Sequence, residues 1–210
     1  MWAGPGVACV LRIADGHVTY PDGTAAGRVV AQAQGGVAAL RRAFARNPES
    51  ARLDVVVYAA AGHPLLCVVK HRSARARVEV NGPNGDPVGW IEKSKGLVRK
   101  TYQAKDAWGR VVGEVRDQKP TRLEPHYWAL LHAPDGTVVG RLTQRTEVRP
   151  GAVMAGLARN HRTWWEADLG PNVAEPFRTL VVGFAGVVGM VTGLDARPPG
   201  LGDVAGQFTP

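Results

Sequence analysis

The segment Lys93, Ser94, Lys95, Gly96, Leu97, Val98, Arg99, Lys100 sets four cations around a turn within eight residues. No other stretch of the sequence points as directly to a ligand by residue type and spacing. A turn of this kind suits phosphate headgroups, because each Lys or Arg beside an anionic membrane is worth about 1 kcal/mol. Arg72, Arg75 and Arg77 lie near enough in sequence to add to it. The wider stretch from Lys70 to Arg122 holds thirteen Lys or Arg against six Asp or Glu, within a chain of formal net charge +8. Such an imbalance attracts an anionic surface or another polyanion. A plainer reading stands beside this one: most of the basic residues are Arg, as compositional bias would give, and the charges could merely line solvated strand faces.

Side chains that would support catalysis or bind a metal are not grouped. His17, His63, His71, His126, His132 and His161 are scattered, and His126 and His132 cannot share a metal by local spacing alone. No nucleophile elbow, Walker loop, zincin helix or CxxC pair occurs. Gly82, Gly85 and Gly89 approach a phosphate loop in composition, but the chain runs on through Trp90 and Ile91 as a strand. Glu92, Asp106 and Glu114 would need the fold to bring them together before they could do acid–base work. Trp90, Trp108, Trp128, Trp164 and Trp165 interleave with basic strands, where they could stack on nucleic-acid bases, sit at a membrane interface or pack the core and rim. Cys9 and Cys67 lie far apart in apolar surroundings, the pattern of a reduced intracellular chain, and no signal peptide is legible. These residues assign no catalytic group, no metal and no cofactor.

The elements that would position the basic turn are repeated hairpins. Pro134, Asp135, Gly136, Thr137, Val138, Val139, Gly140 echoes Pro21, Asp22, Gly23, Thr24, Ala25, Ala26, Gly27, and related cassettes stand at Asn84 to Ile91 and Trp108 to Val115. A degenerate copy at Gly62 gives turn glycines at 62, 85, 109 and 136, a spacing of about two strands and two turns. The first glycine supplies a positive φ, and the second marks a bulge or a close backbone approach. Val78, Glu79, Val80, Asn81 and Tyr102, Gln103, Ala104, Lys105 alternate as half-buried strands do. Units this short cannot bury an apolar face alone, so they must close on one another or on something between them.

Two segments break the β pattern. Val37, Leu40 and Phe44 share one face at helical spacing, with Arg41, Arg42 and Arg46 elsewhere, which predicts a short basic amphipathic helix ended by Asn47 and Pro48. Leu180 to Leu194 carries no charge. As a helix its fifteen residues would rise about 22 Å, short of the ~30 Å hydrocarbon layer. A helix apolar all round is buried all round, and a barrel interior would suit this one. Insertion is the alternative, because Gly189 and Gly193 form a GxxxG pair.

Degenerate hairpins with G-x-x-V-G cassettes, then Trp164, Trp165, Glu166, Ala167, Asp168, Leu169, then an apolar helix, resemble the tubby-like superfamily, which includes phospholipid scramblases and LURP-one-related proteins. The resemblance covers roughly 53 to 194. It implies a mainly β fold: a closed antiparallel barrel of about twelve strands around a buried C-terminal helix at 177–194, with the barrel at 51–195. The first fifty residues then form an extension with an extra hairpin and the amphipathic helix, and 196–210 a flexible tail. Taken with the basic turn and the unpaired cysteines, this fold predicts a non-enzymatic, cytoplasmic protein, peripheral at the inner membrane surface, that binds anionic headgroups or a phosphorylated ligand through Lys93, Lys95, Arg99, Lys100, Arg72, Arg75 and Arg77. A scramblase-like inserted protein, a nucleic-acid-binding regulator and an interaction scaffold are the alternatives. Glu166, Asp168 and Glu175 are too few to claim a Ca²⁺ cage.

Overall fold

A computed structural model describes residues 9–14, 16–32, 53–71, 77–94, 101–118, 128–148 and 161–192. Twelve strands run in chain order: β1 (Cys9–Ala14), β2 (His17–Thr19), β3 (Ala25–Ala31), β4 (Leu53–Ala59), β5 (Pro64–Lys70), β6 (Arg77–Asn81), β7 (Pro87–Lys93), β8 (Thr101–Asp106), β9 (Val111–Gln118), β10 (Trp128–His132), β11 (Val138–Val148) and β12 (His161–Leu169). Each pairs antiparallel with the next, and β1 pairs with β12, so the sheet closes into an up-and-down barrel. Three of the twelve strands come from the first fifty residues. The barrel therefore reaches beyond 51–195, because Leu11, Ile13 and Val18 carry the same inward alternation as the later strands.

The period-2 pattern gives the barrel its inner wall. Leu66 and Val68 of β5, Val78 and Val80 of β6, Ile91 of β7, Ala104 of β8 and Val115 of β9 are buried on the inner wall, with polar residues between them. The seam of the barrel is fixed on the outside. Glu166 of β12 accepts from Arg12 Nε of β1 at 3.0 Å and from Arg145 Nε of β11 at 2.9 Å, and so ties three strands together.

Five hairpins, β2–β3, β4–β5, β6–β7, β8–β9 and β10–β11, turn at the same end of the barrel, because successive strands alternate in direction. All five share one geometry. The glycine N–H donates three residues back, as Gly23 does to Tyr20 and Gly136 to Ala133, and the strand-end N–H donates across the turn, as Tyr20 does to Thr24. Gly23, Gly62, Gly85, Gly109 and Gly136 all have φ between 82° and 87°, as the repeat predicts. Each hairpin also carries a register shift beside the turn. The second glycine marks close approach at two positions: a Cβ on Gly89 would lie 2.1 Å from the Lys105 carbonyl oxygen, and one on Gly140 would lie 2.4 Å from that of Asp168.

After β12 the chain forms α1 (Phe177–Thr192). Glu175 caps its first turn, accepting from the Thr179 N–H at 3.2 Å and from the Thr179 hydroxyl at 2.7 Å. Phe177, Arg178 and every residue from Leu180 to Val187 are buried, and α1 packs against β4 to β8 and β12. Two glycines shape the contact. The Phe177 ring occupies the place of a Gly113 Cβ, 2.6 Å from the ideal position, and Gly183 lies over Val68 and Val80. Phe177 meets β9 near the turn end, while the Phe184 ring packs at a tilt against Tyr102, near the start of β8, with centroids 5.4 Å apart. The helix thus runs from the turn end toward the opposite end. No helix among the described residues is long and apolar enough to cross a membrane. The expected amphipathic helix at 37–46, residues 193 and 194, and the tail at 196–210 lie outside the described residues.

Candidate functional site

Strand parity sends every remaining connection to the end opposite the five turns. β1 to β2, β3 to β4, β5 to β6, β7 to β8, β9 to β10 and β11 to β12 all cross over at this second end, which we call the loop rim. Single hydrogen bonds extend the ladders toward it: Gln32 N–H to Asp54 O at 2.8 Å, His71 N–H to Arg77 O at 3.1 Å and Ser94 N–H to Thr101 O at 2.7 Å.

Two of the seven residues in the predicted basic cluster are described, and they face opposite ways. Lys93 closes β7 opposite Tyr102 of β8, so it belongs to the inner row. It is half-buried, and Lys70, at the end of β5, is fully buried on the same inner wall. Arg77 starts β6 on the outer wall, where its Nη2 lies 2.8 Å from Glu79 Oε1 and its guanidinium sits 4.4 Å above the Trp90 ring. Arg72, Arg75, Lys95, Arg99 and Lys100 lie outside the described residues. They belong to the β5–β6 and β7–β8 connections, which leave the same rim two strands apart.

Elsewhere the outer wall is a ladder of compensated charges. Lys105 Nζ lies 2.7 Å from Glu92 and Arg116 Nη2 lies 2.8 Å from Glu114, and at the turn rim Arg110 Nε lies 2.7 Å from the buried Asp106. Hydrogen bonding from Lys105 holds the Glu92 carboxyl below its usual range, with the lysine charge acting in the same direction against partial burial. Burial pushes Asp106 up, but the N–H groups of Arg110 and Trp108 and the Arg110 guanidinium outweigh it, so this carboxyl too is held low. Glu92, Asp106 and Glu114, the carboxylates that could have formed an acid–base pair, are thus each engaged with a separate cation. Among the described residues no group of three or more His, Cys, Asp or Glu side chains is placed to hold a metal.

Charge is therefore divided by region. The described residues carry twelve Lys or Arg and thirteen Asp or Glu, whereas the six loop-rim connections between them carry thirteen Lys or Arg and three Asp or Glu. Within Lys70 to Arg122 the entire excess belongs to Arg72, Arg75, Lys95, Arg99, Lys100, Lys119 and Arg122. In sequence Lys105, Arg110 and Arg116 read as part of the basic stretch, but Glu92 on the neighbouring strand, Asp106 in the turn and Glu114 on the same strand each neutralise one of them. Arg41, Arg42, Arg46 and Arg52 read as a separate group, although the β3–β4 connection that holds them leaves the same rim. Counting strands and assigning alternate connections to opposite ends would have grouped them.

Comparison of the chain with protein-family models, with curated proteins and with solved structures returns no match.

Proposed function

We propose that this protein is a non-enzymatic, tubby-like barrel that binds a polyanionic surface, anionic lipid headgroups above all, through the connections at its loop rim. The observation that carries this reading is the division of charge. The described residues are nearly balanced in charge, with six of their twelve Lys or Arg in ion pairs, and thirteen cations against three carboxylates remain in connections that all leave one end. Charge concentrated on one end of a compact body attracts an anionic surface and orients the molecule against it. The family reading rests on the closed twelve-strand meander followed by a single C-terminal helix. The buried run Leu180–Val187, packed on six strands, supports a barrel filled by that helix. In this arrangement α1 serves as core, and membrane attachment falls to the rim.

Co-sedimentation with vesicles tests the proposal. The chain should pellet with phosphatidylserine-containing vesicles at an ionic strength of about 50 mM, be released at about 0.5 M as screening shortens to a few ångströms, and ignore phosphatidylcholine alone. Soluble polyphosphate should compete. Absence of binding to acidic vesicles at low salt overturns the proposal.

A further inference from the structure

The opposite end of the barrel carries an apolar anchor that the fold does not use. In the five equivalent turns the residue before the turn glycine is Asp22, Ala61, Asn84, Trp108 and Asp135. Four are small or turn-forming residues. The fifth is a tryptophan, 81% exposed. Asp106, buried at the end of β8, accepts from the Trp108 N–H at 3.0 Å, the Arg110 N–H at 2.9 Å and Arg110 Nε at 2.7 Å, and the Arg110 guanidinium stands 5.1 Å from the indole ring. The backbone presenting Trp108 is therefore fixed before any partner arrives, which lowers the ordering cost of binding. Val111 and Val138, also exposed, begin the strands after this turn and the next one round the rim. The turns on either side contribute the exposed carboxylates of Asp86 and Asp135. An apolar centre with a tryptophan and an acidic border has the composition of a binding hot spot.

We propose that this turn end docks on the basic loop rim of a second copy of the chain, joining barrels head to tail. The occupant is chosen by charge, since the chain's own opposite rim carries the complementary excess of cations. Such a contact pairs two different surfaces and is heterologous, so it propagates into chains or rings and does not stop at a symmetric dimer. It is independent of which anion the rim binds, although an anion and a second copy would compete for that rim.

Sedimentation velocity on the full chain tests it. At about 0.1 mM protein, where contacts of modest affinity fill, the wild type should show a mean mass at least twice that of the monomer in low salt. It should return to monomer at about 0.5 M salt, where the screening length is a few ångströms. Trp108→Ala should stay monomeric in low salt with an unchanged melting curve. The deciding arm mixes two variants that are each monomeric alone, Trp108→Ala with Asp86→Asn and Asp135→Asn, and Lys95→Ala with Arg99→Ala and Lys100→Ala. The first keeps only its basic rim and the second only its turn end, so the mixture should give a 1:1 dimer and nothing larger. A monomeric wild type in low salt, a Trp108→Ala chain that assembles like wild type, or a mixture that stays monomeric overturns the proposal. Loss of phosphatidylcholine-vesicle binding on Trp108→Ala, in a chain that never self-associates, overturns it in favour of a membrane contact.

Discussion

At the turn rim five reversals of the chain are made by one device repeated, a turn ending in a left-handed glycine, with a register shift beside it. At the loop rim the same kind of reversal is made by six connections of very different composition and length, and they hold thirteen of the chain's cations. The turn rim is constrained residue by residue by backbone geometry. The loop rim repeats no such device in sequence, and its connections share only the end of the barrel at which they leave and return. A barrel whose strands are held at one end leaves the other end free to carry composition that folding does not require, which is where binding chemistry can accumulate.

The largest test of that contrast lies within the turn rim. Gly89 has φ 149°, and a Cβ there would lie 2.1 Å from the Lys105 carbonyl, a backbone atom with nowhere to go. Gly136 has φ 87°, but its Cβ would meet nothing within 4 Å. Gly89→Ala should therefore cost more than about 3 kcal/mol or prevent folding. Gly136→Ala should cost only the ~1–2 kcal/mol of a left-handed non-glycine residue. Urea unfolding of both variants measures the difference, and equal costs would break the view that the second glycine is the one required by close backbone approach.

A smaller effect is expected on the wall that joins the rims. Burial raises the Glu166 carboxyl, and hydrogen bonding and charge from Arg145, then Arg12, overcome it, so its pKa in the folded protein lies below the ordinary value. A depressed folded-state pKa contributes stability that is present above the unfolded value of about 4.3 and is lost as pH falls through the folded value. The Arg12 and Arg145 side chains are 41% and 49% exposed, so screening limits the contribution to about 1 kcal/mol. Glu166→Gln should lower stability by that amount at pH 7 and flatten its fall below about pH 4, as read by denaturation midpoints across the acid range. A variant whose pH profile matches wild type would assign the seam to backbone pairing alone.

How much of this was legible in the sequence follows from the range of each signal. The turn glycines at 23, 62, 85, 109 and 136 and the alternation of β6 and β8 are local, and the structure places them where the pattern predicts. Closure of the sheet rests on β1 meeting β12, a contact between Leu11 and Ala167 that no local pattern announces. The same distance hid the charge division: Lys105 reads as one more cation in a basic stretch until the register brings it to Glu92, thirteen residues earlier. Lys93 reads as part of an exposed turn until its place opposite Tyr102 puts it on the inner row.

The smallest expected effect on stability is also the one that decides the loop rim. Lys95, Arg99 and Lys100 lie in a connection that no strand register requires, so replacing all three with Ala should move the folding free energy by no more than about 0.5 kcal/mol. The same change should weaken association with acidic vesicles by about 3 kcal/mol, roughly a hundredfold, at about 1 kcal/mol per cation. Arg77→Ala, by contrast, removes a cation already held by Glu79 and stacked on Trp90, and should leave vesicle affinity nearly unchanged while loosening the outer wall. If Arg77→Ala weakened binding as much per charge as the triple variant, the separation between a self-neutralised wall and a binding rim would fail, because the ligand would then be reading net charge wherever it sits.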